Sequence, residues 1–167
     1  MTSISIGSPP RRALIVVDAQ NDYDGGALAI RHPPICDSLA NVARAMDAAA
    51  TAGVGIVVVE QVAAAVDTVT VAGYMTHNCV LSTIIHALHM GFAVEFLSDA
   101  AGSIPYLNSA GYASAADIHR VVNVVLQSRF AAVLETAEWI DRLETGALPE
   151  RDDIYASYRR ALAHEAG

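Results

Sequence analysis

The chain has 167 residues, enough for one domain with a substantial core and too few for two ordinary ones. Hydrophobic residues make up 53% and charged residues only 17%, with a mean hydropathy of +0.36, which excludes a disordered chain. The formal net charge is −8, and the ten cationic residues are scattered, which argues against nucleic acid or an anionic membrane surface as a partner.

The N-terminal MTSISIGSPPRR carries its charges after its apolar residues and has no secretory h-region. The apolar run at 13–17, ALIVV, stops at Asp18 and suits a strand buried on both faces, as in a parallel sheet. Residues 21–34, rich in Asp, Gly and Pro, read as loop. Asp37 or Ser38 can cap a helix over 39–52, which Gly53 would stop. Buried strands follow at 54–60 and 67–73. A helical pattern runs from Cys79 to Met90 and ends at Gly91, and a fourth strand covers 93–100.

Residues 102–113 read as loop. Ser114 then opens a helix, with Asp117 three residues on in the manner of a capping box, and Ile118, Val121, Val122 and Val125 should line its inner face. A fifth strand at 131–136 and a terminal helical region, broken at 146–149, complete the chain. Strand and helix alternate, which predicts one doubly wound α/β domain of three layers (α/β/α) around a mostly parallel sheet.

One join does not fit this scheme. Only the six residues QVAAAV separate the strands 54–60 and 67–73. Parallel strands need a crossover of about a dozen residues or more. A hairpin would need turn residues that this stretch lacks. A missing segment between about 61 and 66 is the expectation. No apolar run approaches the roughly 18–20 residues of a membrane helix. With only Cys36 and Cys79, reduced thiols and a cytoplasmic location are the default.

Chemistry in open α/β sheets collects at the carboxyl ends of the strands, and Asp18, Cys79 and Asp99 lie at such ends in this reading. A thiol at a helix N-terminus faces free backbone N–H groups and the positive end of the dipole, which favour the thiolate and can hold an oxyanion. Asp18 could accept its proton. From the residues alone, a lone Cys beside an apolar helix is more often a small buried hydrophobe.

The segments RALIVVDAQNDY (12–23) and VDTVTVAGYMTHNCVLSTIIHALHMGFAVEFLSDAAGS (66–103) resemble the two signature blocks of isochorismatase-like cysteine hydrolases. Gly73, Thr76, Cys79, Val80, Asp99 and Ala100 occupy the positions of the second block. The resemblance implies Cys79 as nucleophile and Asp18 as general base, with the backbone N–H groups of Met75 and Cys79 as oxyanion hole. It also implies a cis peptide at Tyr74–Met75. Gln20, Asn21, Tyr23, Tyr74 and His77 are candidates for the substrate pocket, His77 being as readily a plain surface residue.

The implied activity is hydrolysis of a C–N, amide-type bond of a small molecule through a thioester. Alternatives are hydrolysis of a vinyl ether, or a non-catalytic oligomeric scaffold. The family also implies a homo-oligomer, dimer or tetramer, and the C-terminal IYASYRRALAHEA has the aromatic and Arg content of a packing surface. The main departure is that all ten cationic residues are Arg. The family's catalytic Lys, placed between the second strand and DTVTVAG, has no counterpart, and the short connection falls at the same place.

No cofactor is expected, and no metal: Glu60–Gln61 stands where metal-binding relatives carry their ligands, and His86 and His89 lack a third partner. A phosphoacceptor signalling domain would also end its strands in Asp, but it needs a Lys that this chain does not have.

Overall fold

The computed structural model describes residues 10–17, 19, 23, 28–57 and 66–165. Five strands, β1 (Arg12–Val17), β2 (Gly55–Val57), β3 (Thr68–Tyr74), β4 (Ala93–Gly102) and β7 (Ala132–Leu134), form one sheet in the order β2-β1-β3-β4-β7. Every pairing in it is parallel. All residues of β1 and β3 are buried, as expected of strands covered on both faces.

Side-chain alternation divides the core in two. Ile15, Val17, Val69, Val71, Val94 and Phe96 face α2 (Leu81–His89) and the end of α3 (Ala115–Val125), meeting Val80, Ile84 and Leu126. On the other side Leu14, Val16, Ala72, Leu97 and Leu134 meet α1 (Ile35–Thr51) and α4 (Thr136–Thr145) through Val42, Ala45, Ala49 and Trp139. This is the predicted three-layer α/β/α arrangement. A last helix, α5 (Ile154–Glu165), lies outside both layers.

β2 and β3 flank β1 instead of pairing with each other, and both run parallel to it. The hairpin option for the short connection is therefore excluded. Residues 58–65, which include Glu60 and Gln61, lie outside the described residues.

Several local expectations are corrected. Helix α1 begins at Ile35 with Pro34 as its N-cap residue, and neither Asp37 nor Ser38 caps it. Ser38 is buried instead, and its hydroxyl meets the Tyr74 hydroxyl at 2.6 Å. Residues 102–113 are not all loop: β5 (Tyr106–Asn108) and β6 (Gly111–Ala113) form an antiparallel hairpin, closed by Asn108 Oδ1 accepting the Ala110 N–H at 2.9 Å. The Gly, Ser and Asn content that signals a loop also builds so short a hairpin.

In α3 the Ser114 cap holds, its hydroxyl accepting the Asp117 N–H at 3.1 Å. The buried face, however, is Ala115, His119 and Val122 running on to Leu126, and Val121 and Val125 are exposed. Valine content misled the assignment, because the polar His119 belongs to the core.

The buried end of the sheet opposite the strand C-termini holds an unexpected polar cluster. Arg12 donates to both carboxylate oxygens of Glu95 at 2.9–3.1 Å, and Thr70 Oγ1 and Trp139 Nε1 donate to Glu95 Oε2 at 2.8 and 2.9 Å. Arg12 and Glu95 both have almost no exposed side chain. Complete hydrogen bonding is what makes so buried a pair tolerable.

Candidate functional site

The candidate site grows from the C-terminal end of β3. Gly73 has φ +112°, and its ideal Cβ would stand 1.9 Å from the Val17 carbonyl oxygen, so only glycine permits β1 and β3 to approach this closely. The Tyr74–Met75 peptide is cis, as the resemblance implied. A π-helical turn, Thr76–Val80, follows and runs directly into α2. The Met75 carbonyl anchors it by accepting the Asn78 N–H at 2.9 Å and the Val80 N–H at 3.3 Å. Helical structure thus starts three residues earlier than predicted, and Cys79 sits inside the turn, half-buried against the α2-side core.

Two side chains of the turn, Thr76 and His77, have assigned partners. Thr76 Oγ1 donates to the Gly102 carbonyl at 3.0 Å and lies 3.0 Å from His119 Nδ1. His77 Nδ1 meets Ser103 Oγ at 3.2 Å, and its Nε2 meets the Tyr106 hydroxyl at 2.9 Å, with the two rings edge to face. Burial holds the His77 pKa below its ordinary value. For His119 burial first, and the neighbouring His32 second, bring the pKa down to about 4. His32 contacts the His119 ring edge-on at 5.6 Å between centroids.

The structure brings Tyr23, Tyr74, Met75, His77 and Cys79 to this end of the sheet. Tyr74 is fully buried among Ile30, Met75 and Ile104, its ring 5.7 Å from that of Tyr23. Asp18, Gln20 and Asn21 lie outside the described residues.

Asp99 does not join the site. β3 and β4 shift register between Val71 and Gly73, so that Val71 pairs with Phe96 and Gly73 with Ala101. In the extra length of β4, Asp99 Oδ1 turns to the start of α4 and accepts from the Thr136 N–H at 2.8 Å and its hydroxyl at 2.7 Å. It supplies the cap that Glu135, at the N-cap position, does not.

Sequence reasoning overlooked Ser103, Tyr106 and His119. None carries a local signal, because each reaches the turn through the β4 register shift or the packing of α3. Among the described residues, no three His, Cys, Asp or Glu side chains converge as a metal site. No described helix is long and apolar enough to cross a membrane.

Comparison with known proteins agrees with this geometry. The Isochorismatase domain family model matches residues 61–138. A crystal structure of a Burkholderia xenovorans LB400 protein assigned as an isochorismatase superposes with a TM-score of 0.90 at 46% identity, over 96% of this chain and 100% of that one. The chain belongs to the isochorismatase family.

More distant members of the same fold include a cysteine hydrolase from Pseudomonas syringae pv. phaseolicola 1448A, with 24% identity and a TM-score of 0.72 over 86% of this chain and 100% of that one. N-carbamoylsarcosine amidase from Thermoplasma acidophilum has 15% identity and a TM-score of 0.57 over 77% of this chain and 98% of that one. No curated protein matches the chain. The family is one of hydrolases, and the turn carrying Cys79 stands where an α/β sheet places its chemistry.

Proposed function

We propose that this isochorismatase-family chain is a cysteine hydrolase that opens a C–N, amide-type bond of a small molecule through a Cys79 thioester. The observation that carries the reading is the position of Cys79: half-buried, in a helical turn at the C-terminal end of a central parallel strand. There the N-terminal dipole of the run from Thr76 to His89 favours a thiolate, a positive field that stands in part for the absent Lys.

In this reading Asp18 takes the Cys79 proton. The base follows Val17 in sequence, and Val17 is the register partner of Gly73. The thiolate adds to the carbonyl carbon, and the oxyanion is held by the backbone N–H groups of Met75 and Cys79. Collapse breaks the C–N bond, and the protonated Asp18 returns its proton to the departing amine. Water, deprotonated by Asp18, then cleaves the thioester, releasing the acid and the thiol. Gln20, Asn21, Tyr23 and His77 would border the substrate, and Tyr74 would support it from within the core.

We also propose that residues 1–167 are a single hydrolase domain that lacks a segment of the family fold between about 61 and 66. The match along 96% of this chain to the Burkholderia xenovorans protein supports the single domain. A homo-oligomer, a cytoplasmic location and activity without a metal or other cofactor belong to the same reading.

The test is intact-protein mass spectrometry during turnover of an amide panel. A covalent adduct on Cys79, and loss of turnover in Cys79→Ala, are expected; turnover that survives Cys79→Ala would favour vinyl ether hydrolysis instead. The missing Lys favours a second reading, a scaffold that has lost catalysis. Ligand binding without turnover or adduct across the panel would select it.

A further inference from the structure

Three elements meet at one hydroxyl in the Cys79 turn. Thr76, the first residue of that turn, is fully buried, and its Oγ1 donates to the Gly102 carbonyl at the end of β4. On the other side of Oγ1, at 3.0 Å, lies Nδ1 of His119 from α3. Thr76 has no exposed surface and His119 only 6%, so water is a poor substitute for either partner.

Both supports are themselves braced. The ideal Cβ of Gly102 would stand 2.5 Å from Ile30 Cγ2 and 3.1 Å from the His32 carbonyl oxygen, which leaves the end of β4 little room to move. Beside it the Ser103 N–H donates to the His32 carbonyl at 2.8 Å, and the Arg31 N–H to the Ser103 carbonyl at 3.0 Å. The His32 ring also meets the His119 ring edge-on. One short segment, residues 30–32, thus backs both the strand end and the imidazole.

Packing alone does not call for a histidine here. The rest of the buried α3 face, Ala115 and Val122 running on to Leu126, is apolar, and an imidazole among them costs desolvation that a leucine would not. What the imidazole adds is the bond to Thr76. Directly before Thr76 stands Met75, whose carbonyl closes the turn by accepting the Asn78 and Val80 N–H groups. The placing of Thr76 therefore sets how the turn leaves β3, and with it the backbone dipoles around Cys79.

We propose that His119 is a positioning residue: through Thr76 Oγ1 it holds the Cys79 turn in the geometry that favours the thiolate. Its effect on Cys79 runs through Thr76. The inference deepens the reading of Cys79 as nucleophile and rests on it.

The test needs no substrate. The purified chain is alkylated with iodoacetamide between about pH 5 and about pH 10. Mass spectrometry follows the Cys79 peptide separately from that of exposed Cys36. His119, with a pKa of about 4, is neutral throughout this range, so its own titration does not enter the profile.

The wild-type midpoint should lie below the ordinary thiol value of about 8.5. Thr76→Val and His119→Ala should each raise it by about one pH unit, and together no further, because both cut the same link. Thr76→Ser keeps the hydroxyl and His119→Asn keeps a polar group near Nδ1, so both should stay close to wild type. The near-UV signal of buried Trp139 checks folding, and the nearly isosteric Thr76→Val decides alone if His119→Ala does not fold.

A low wild-type midpoint that Thr76→Val leaves in place would overturn the inference while the nucleophile reading stood. Shifts that add in the double variant would do the same. A wild-type midpoint at the ordinary thiol value would overturn the nucleophile reading, and the inference with it.

Discussion

Val17 and Gly73 are register partners at the ends of β1 and β3, so close that a side chain on Gly73 would overlap the Val17 carbonyl. One pairing thus links the residue before Asp18 to the strand end from which the Cys79 turn departs. Gly73→Ala must both enter a backbone region that L-residues avoid and push β1 away. A loss of about 3 kcal/mol or more is expected from urea unfolding. A change under about 0.5 kcal/mol, as at an ordinary surface site, would refute the close approach.

The Arg12–Glu95 pair predicts a non-additive result. Glu95→Leu leaves the Arg12 guanidinium buried without its partner and should cost about 3–5 kcal/mol. Arg12→Met combined with Glu95→Leu removes both charges and should recover most of that loss. Trp139 Nε1 keeps a partner in the double variant, since it also donates to Thr70 Oγ1 at 3.0 Å. Denaturant unfolding of the single and double variants decides between a coupled pair and two independent polar residues.

His119 predicts a pH dependence. Its folded pKa of about 4 lies below the ordinary 6.5, so the folded protein holds it neutral while the unfolded chain takes up a proton. Its stabilising effect is complete above about pH 6.5 and is lost as pH falls from there toward 4, by about 2–3 kcal/mol in all. The difference in unfolding free energy between wild type and His119→Asn should therefore change across that window and level off outside it. A constant difference would show that His119 titrates normally.

Tyr106 covers His77 from the hairpin, hydroxyl on Nε2 and ring edge to face. Truncation in Tyr106→Ala should admit water to the imidazole and raise the His77 pKa toward its ordinary value, since burial is what depresses it. Proton NMR titration of the His77 ring resonances reads this directly. An unmoved midpoint would mean that other groups bury the ring.

Asp99 separates structural from chemical roles among the strand-end acids. Asp99→Ala removes the acceptor for two Thr136 donors and should cost about 1–2 kcal/mol through fraying of α4. Per folded molecule, turnover should not change. A large fall in turnover at constant stability would place Asp99 in the reaction after all.

The strands were legible because each is written locally. ALIVV and TVTVAG are apolar without alternation, as a doubly covered parallel sheet requires, and Ser114 with Asp117 announces the start of α3. The Cys79 block was legible as a linear motif, including its cis peptide. The inner face of α3 was not, because valine spacing cannot say that a neutral histidine will be the buried residue.

By itself, the sequence determined the order of the five sheet strands and their helices, the glycine before the Cys79 turn and a half-buried thiol near the start of a helix. These depend on periodicity, on φ preferences and on residues within a turn of one another. Only the tertiary structure decided that β2 and β3 flank β1, that Asp99 caps α4, and that Ser103, Tyr106 and His119 surround the turn with Cys79. Those pairings join residues 26 to 43 positions apart. They depend on sheet order and on a register shift in β4, which arise from packing of the whole chain and leave no mark on any single segment.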